Sequence, residues 1–156
     1  MLTYDLIVIG FGKAGKTLAA KMATQGKNVA LIERSKAMYG GACINIACIP
    51  TKTLLVAAEK GLSFEEVMAE KNEVTSRLNG KNYAAISSAG VDIIDAEAHF
   101  LSNKIIEIVA GDEKQELTAE NIVINTGAIS NVLPIPGLTT TKNVYDSTGI
   151  QNLSTL

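Results

Sequence analysis

Two cysteines, Cys43 and Cys48, lie in the run Gly40-Gly41-Ala42-Cys43-Ile44-Asn45-Ile46-Ala47-Cys48-Ile49-Pro50-Thr51-Lys52, the stretch richest in residues able to do chemistry. In a chain with no other cysteine, such a pair is more often redox-active or a metal ligand than part of a disulfide framework. Zinc needs about four ligands. The lone histidine, His99, is distant, so no metal site is expected. In a regular helix, positions i and i+5 have Cα atoms about 8–9 Å apart, beyond the roughly 7 Å limit of a disulfide. A bridge would therefore need a backbone that is distorted, or not yet helical, between the two thiols. Pro50 fits a helix that starts only after the second cysteine, from about Thr51. A thiol at a helix N-terminus has its thiolate stabilised. Lys52, about one turn beyond Cys48, adds a positive charge on the same face.

A second cluster opens the chain. Gly10-Phe11-Gly12-Lys13-Ala14-Gly15 matches G-x-G-x-x-G, between an apolar run and a helical pattern. Such a loop turns tightly at its first glycine, admits a pyrophosphate at its second and packs helix on strand at its third. The helix N-terminus then offers free N–H groups to the phosphates. Gly10 with Gly15-Lys16-Thr17 also satisfies the P-loop pattern, in which Lys16 would reach phosphates and Thr17 a magnesium ion. Context favours the dinucleotide reading. Glu33 ends the next apolar run, where an acid can take both ribose hydroxyls. A P-loop enzyme needs a metal-binding acid on a later strand, and Asp95 is the only fair candidate.

The elements that must position these residues are legible in outline. Residues 4–9 and 28–32 read as buried strands, joined by a helix over 14–25, hence a βαβ unit and a parallel sheet. A second helix is expected over 63–79, opened by a Ser63/Glu66 capping box. Residues 96–101 alternate as a strand, 104–109 and 114–118 flank the Gly111-Asp112 turn as a hairpin, and 121–125 form a last strand. From Leu133 the chain reads as loop. Apolar residues make up 47% and charged residues 19%, mean hydropathy is +0.20 and net charge −2. That composition excludes a disordered chain, and the lack of a basic cluster argues against a nucleic-acid partner. No run of 18 uninterrupted apolar residues predicts a membrane span, and the N-terminus does not read as a signal peptide, so a cytoplasmic protein is expected.

Taken together, Gly-Gly before C-x-x-x-x-C, then Ile49-Pro50-Thr51-Lys52, the glycine loop, Glu33, Thr126-Gly127-Ala128 and Pro134-x-Pro136-Gly137 resemble the class I pyridine nucleotide–disulfide oxidoreductases. These include lipoamide dehydrogenase, glutathione reductase and mercuric reductase. The resemblance implies an α/β, Rossmann-like FAD-binding domain with a parallel sheet and a small antiparallel β-meander. It would span residues 1–137 as an incomplete first segment. Residues 138–156 would form a connector toward an NAD(P)-binding domain absent from this chain.

The resemblance also implies roles. Gly10, Gly12, Lys13, Ala14, Gly15, Glu33 and Arg34 would hold the ADP half of FAD. Gly40, Gly41 and Ala42 would line its pyrophosphate, Ala98 would meet the adenine through its backbone, and Thr126, Gly127 and Ala128 would close over the cofactor. Lys52 would sit beside the flavin, with Cys48 the nearer thiol and Cys43 the interchange thiol. A Cys43–Cys48 disulfide would pass electrons from NAD(P)H, through FAD, to an oxidised small substrate. The full-length enzyme would be a homodimer whose partner subunit supplies an acid–base histidine. This chain alone would bind FAD poorly and lack turnover. The run from Cys43 to Leu54 is similar to the mercuric-reductase-like branch acting against reactive chlorine species and hypothiocyanous acid. Ala42, Ala47 and Ala96 depart from the family's usual Thr, Gly and Gly.

Overall fold

The structure is a computed structural model describing residues 1–155; Leu156, the end of the expected connector, lies outside them. β1 (Leu2–Ile9), β2 (Val29–Glu33), β3 (Asp92–Asp95) and β6 (Glu113–Ile124) run parallel in the order β3-β2-β1-β6. β5 (Ile105–Ala110) and β4 (Glu97–Phe100) continue the sheet beyond β6 with antiparallel pairing.

Side-chain alternation sets the layers. Ile7, Ile9, Ala30 and Ile32 face one side and pack against Ile106, Ile108 and Leu117 of the antiparallel part. Leu6, Val8, Val29 and Leu31 face the other side. There they meet Ala19 of α1 (Lys13–Ala23) and Ile86 of α4 (Phe64–Ser88). Because both faces are covered, these strands read as unbroken apolar runs.

Several expectations shift. The predicted strands over 114–118 and 121–125 are one strand of 12 residues, β6. Its first half pairs with β5 and its second with β1, overlapping at Leu117 and Thr118. Serving two different neighbours breaks any single apolar rhythm. α4 continues to Ser88, well past Asn79, because Ile86 docks in the second core. β3 lacks a period-two pattern and went unpredicted. The predicted helix start near Thr51 moves back, since α3 spans Cys48–Glu59. Pro50 is its third residue, where a backbone N–H has no intrahelical partner to lose. By hydropathy and length Ala42–Glu59 is apolar enough to cross a membrane. The helix is nonetheless interrupted at Ile46-Ala47, leaving pieces of 4 and 12 residues.

The Ser63/Glu66 capping box forms as expected. The Glu66 backbone N–H donates to Ser63 Oγ at 3.3 Å, and the Ser63 N–H donates to Glu66 Oε2 at 2.8 Å. The Ser63 N–H and the Ser63 hydroxyl, both donating to Glu66 Oε2, hold the Glu66 carboxyl below its ordinary range. A depressed carboxylate contributes stability above its unfolded pKa, and that stability is lost as pH falls through the folded value. Ser63→Ala should cost ~1 kcal/mol in denaturant unfolding at neutral pH. The deficit should shrink in acid, where Glu66 is protonated in both proteins.

Candidate functional site

The carboxyl ends of β1 and β2 open onto a cleft of about 420 Å³, at β1, where strand order reverses and doubly wound sheets bind ligands. Gly10, Glu33, Arg34, Ala98, Thr126, Gly127 and Ala128 all line it, so the fold gathers these predicted residues from four separate segments. β3 leads almost directly into β4, and the Ala96 N–H donates to the Glu33 carbonyl at 3.1 Å, closing the cleft's side wall. Ala96 is buried in the first core, where its methyl is accommodated.

Close contacts shape the floor. A Cβ on Gly15 would lie 2.6 Å from Val8 Cγ1, so helix α1 packs on β1 as the motif requires. Asn125, absent from the predicted set, lies across this loop. Its backbone N–H donates to the Ile9 carbonyl at 2.8 Å and its Nδ2 to the Gly10 carbonyl at 3.1 Å. The signal for it was the polar residue directly after the apolar end of β6 and before Thr126-Gly127. Gly41, at φ +85°, lies against Gly12, whose Cα would be 2.8 Å from an added Cβ. Lys13 and Ala14 are exposed at the start of α1, and Ala42 is exposed beside Gly41. The N-terminus of α1 carries neither a side-chain cap nor an acid in its first turn, leaving its amides for an anion.

These residues fit a dinucleotide. The Glu33 carboxylate accepts the Phe11 N–H at 2.9 Å and the Ser35 N–H at 3.0 Å. A carboxylate has about four acceptor sites, so two are left for ribose hydroxyls. Ala98 offers an edge. The Leu101 N–H donates to the Ile105 carbonyl at 2.9 Å, which sets bonded positions at Leu101, His99 and Glu97. The backbone groups of Ala98 therefore point away from β5, free for an adenine.

The P-loop alternative fails. The Lys16 side chain is 6% exposed and donates to Asn82 Oδ1 on α4, away from the cleft. Thr17 donates its hydroxyl to the Lys13 carbonyl at 2.7 Å. Asp95 is engaged by the Tyr39 hydroxyl and by Lys36 at 3.3 Å.

The cysteines occupy the broken start of a helix. α2 (Ala42–Asn45) carries Cys43 and α3 begins with Cys48. Between them Ile46 and Ala47 adopt φ −139° and −134°, breaking helical geometry. Ala47 sits at negative φ, so its methyl needs no glycine. Both thiols are exposed and unbridged. The neighbouring Cys48 thiol is the largest influence on the Cys43 thiol and pushes it up, with burial acting in the same direction. The cation whose charge pulls Cys43 down is Lys16. Lys52 is exposed on α3, one turn beyond Cys48.

The fold thus sets a cleft that fits a dinucleotide beside a thiol pair on a split helix. The chain belongs to the pyridine nucleotide-disulphide oxidoreductase family, whose family model matches residues 4–155. Its relatives in this family work with FAD and a pyridine nucleotide. It is 49% identical to the probable pyridine nucleotide-disulfide oxidoreductase RclA of Escherichia coli strain K12, over 100% of this chain and 36% of that protein. A dihydrolipoyl dehydrogenase of Staphylococcus aureus is 32% identical over 96% of this chain and 35% of its own length. The solved HOCl-induced flavoprotein disulfide reductase RclA from Escherichia coli is 49% identical and matches with a TM-score of 0.92, covering 98% of this chain and 35% of that one. Its Cu(II) complex matches with a TM-score of 0.94, with the same identity and coverage. The chain thus spans about a third of the length of these relatives.

The contact between the two glycine loops is testable. Gly41 and Gly26 have nearly the same φ, +85° and +84°, but an added Cβ meets nothing within 4 Å at Gly26. Gly26→Ala should cost about 1–2 kcal/mol from left-handed backbone alone. Gly41→Ala should cost roughly 1–3 kcal/mol more, from the forced separation of the loops. Chemical denaturation of the two variants side by side checks the difference.

Proposed function

We propose that this chain is the FAD- and disulfide-bearing portion of an NAD(P)H-dependent flavoprotein disulfide reductase. The observation that carries the reading is the thiol pair at the split helix, next to the Gly12–Gly41 contact. Bound FAD would supply two-electron transfer between NAD(P)H and the Cys43–Cys48 disulfide. The chain's own residues bind and orient. Gly10, Gly12, Lys13, Ala14 and Gly15 receive the pyrophosphate with Gly40, Gly41 and Ala42. Glu33 takes the ribose hydroxyls, with Arg34 beside it. Ala98 presents its backbone to the adenine, and Thr126, Gly127 and Ala128 cover the cofactor. Lys52 lies beside the flavin ring.

In the reduced pair, the Cys43 thiolate attacks the sulfur of an oxidised substrate R–S–X. A Cys43–S–S–R bond forms and X leaves with the bonding electron pair. The Cys48 thiolate then attacks Cys43 Sγ, closing the Cys43–Cys48 disulfide and expelling R–S⁻. The dithiol loses two electrons, the substrate gains them, and the thiol protons pass to the leaving groups. Hypothiocyanous acid and related small oxidants are the substrate class that fits, with dihydrolipoamide and mercuric reductase chemistry as the alternatives within the family. Residues 1–137 form the first segment of the FAD domain and 138–156 the connector. The whole enzyme is a cytoplasmic homodimer, where a reducing milieu keeps the pair turning over.

The test begins with FAD titration, followed by fluorescence, into the FAD-stripped longer protein and its Glu33→Gln variant. Glu33→Gln is preferable to alanine because the Phe11 and Ser35 amides also depend on this side chain. Each hydrogen bond lost to a charged acceptor costs about 1.5–3 kcal/mol, so affinity should fall at least tenfold. Alkylation of the air-oxidised chain should label two fewer thiols before reduction than after. Turnover is measured in the longer protein, as NAD(P)H oxidation with hypothiocyanous acid, lipoamide and Cu(II) as competing acceptors. Equal affinity for FAD in both variants would count against the Glu33 assignment. Full turnover by residues 1–156 alone would remove the fragment reading.

A further inference from the structure

Lys16 is the one charged residue of the P-loop pattern that the dinucleotide reading leaves without work. It is 6% exposed and has no carboxylate partner among the described residues. Burying an ammonium is costly unless something compensates. Its side chain runs from the start of α1 to α4, where Asn82 Oδ1 accepts its proton. Asn82 is held in turn, because its Nδ2 donates to the Leu78 carbonyl at 2.7 Å. The same amide abuts Gly40, where an added Cβ would come within 3.1 Å of Asn82 Cγ. Gly40 and Gly41 lead directly into the helix carrying Cys43. Lys16 is thus fastened beneath the turn that presents the interchange thiol.

We propose that Lys16 is a positioning residue for thiol exchange, its ammonium held by Asn82 under the Gly40–Cys43 turn as the fixed counter-charge of the Cys43 thiolate. The inference rests on the reading of Cys43 as the exchanging thiol. Charge influences run in both directions as this requires: Lys16 draws the Cys43 thiol down, and Cys43 draws the Lys16 ammonium up against burial and the nearby Lys13. The other titratable group facing Cys43 is Cys48, from α3. α4 contributes neutral amides to this corner: Asn82, and Asn79, which donates to Asn45 Oδ1 and to the Lys36 carbonyl. Lys36 itself is paired with Asp95.

A fixed cation serves both halves of the exchange. When Cys43 attacks R–S–X, a larger fraction of it is thiolate. When the Cys43–Cys48 disulfide is reduced by attack at Cys48, Cys43 leaves as the better-stabilised thiolate.

The test reads Cys43 alone, in a Cys48→Ser background, by the pH dependence of its alkylation with iodoacetamide. It needs neither flavin nor substrate, so missing FAD binding or turnover would remove the reductase reading and leave this measurement standing. Lys16→Met should slow alkylation near neutral pH by about 3- to 10-fold and move the profile to higher pH. Lys16→Arg should restore the rate to within about twofold, since it keeps the charge. Asn82→Asp keeps Lys16 but gives it a competing carboxylate, and should slow alkylation by an intermediate factor. An unchanged profile in a folded Lys16→Met chain would overturn the proposal, as would equal slowing by Met and Arg. If Lys16→Met does not fold, an unchanged profile in Asn82→Asp overturns it instead.

Discussion

Backbone meets backbone where Gly41 lies on Gly12, and most of the site follows from that contact. Two loops, one after β1 and one before the first cysteine, approach until a single methyl would part them. The approach leaves a bare helix N-terminus beside a second turn of positive-φ glycines. It also sets the distance of the thiol pair from the cleft, since Cys43 follows Gly41 by two residues. Asn125 completes the arrangement from the far side, tying the end of β6 to the same loop through Gly10 and Ile9. A cofactor seated here would touch mostly main chain, which side-chain substitution cannot easily alter.

Electrostatics then divide the labour. Glu33 binds two amides of its own loop while keeping acceptor capacity toward the cleft. Its charge therefore acts as a clamp on the protein as well as a ligand. The Cys48 thiol disfavours the Cys43 thiolate, and the Lys16 charge opposes it. Interactions at an exposed thiol are screened by water. A buried, hydrogen-bonded cation keeps more of its influence than a mobile surface lysine would.

Much of this was legible in the chain itself. The βαβ opening, the capping box and the hairpin followed from periodicity and glycine placement, because those signals are local, whereas Ala98 and Thr126–Ala128 were implied only by the family resemblance. Helix geometry called for a break between the cysteines only in a bridged pair, and the break is present with the thiols unbridged. What stayed hidden depends on distant partners. β6 looked like two strands because each half answers to a different neighbour. Lys16 had a role only in the disfavoured P-loop pattern, because its actual partner, Asn82, lies 66 residues away. Asn125 carried no motif, and only the folded loop shows that it lies across the glycines.

The span between Gly10 and Asn125, 115 residues, carries a consequence for biosynthesis. β1 emerges first from the ribosome, yet its partner on one side, β6, arrives after nearly all the intervening chain. Until then one edge of β1 presents unpaired amides and carbonyls, an invitation to pairing with another nascent chain. Such long-range closure is slow and leaves apolar surface exposed meanwhile. The nucleotide cleft, walled by the residues just after β6, can exist only once that last strand has slotted in. A cleft able to hold a cofactor therefore forms only after β6 has joined β1, however early the glycine loop itself is made.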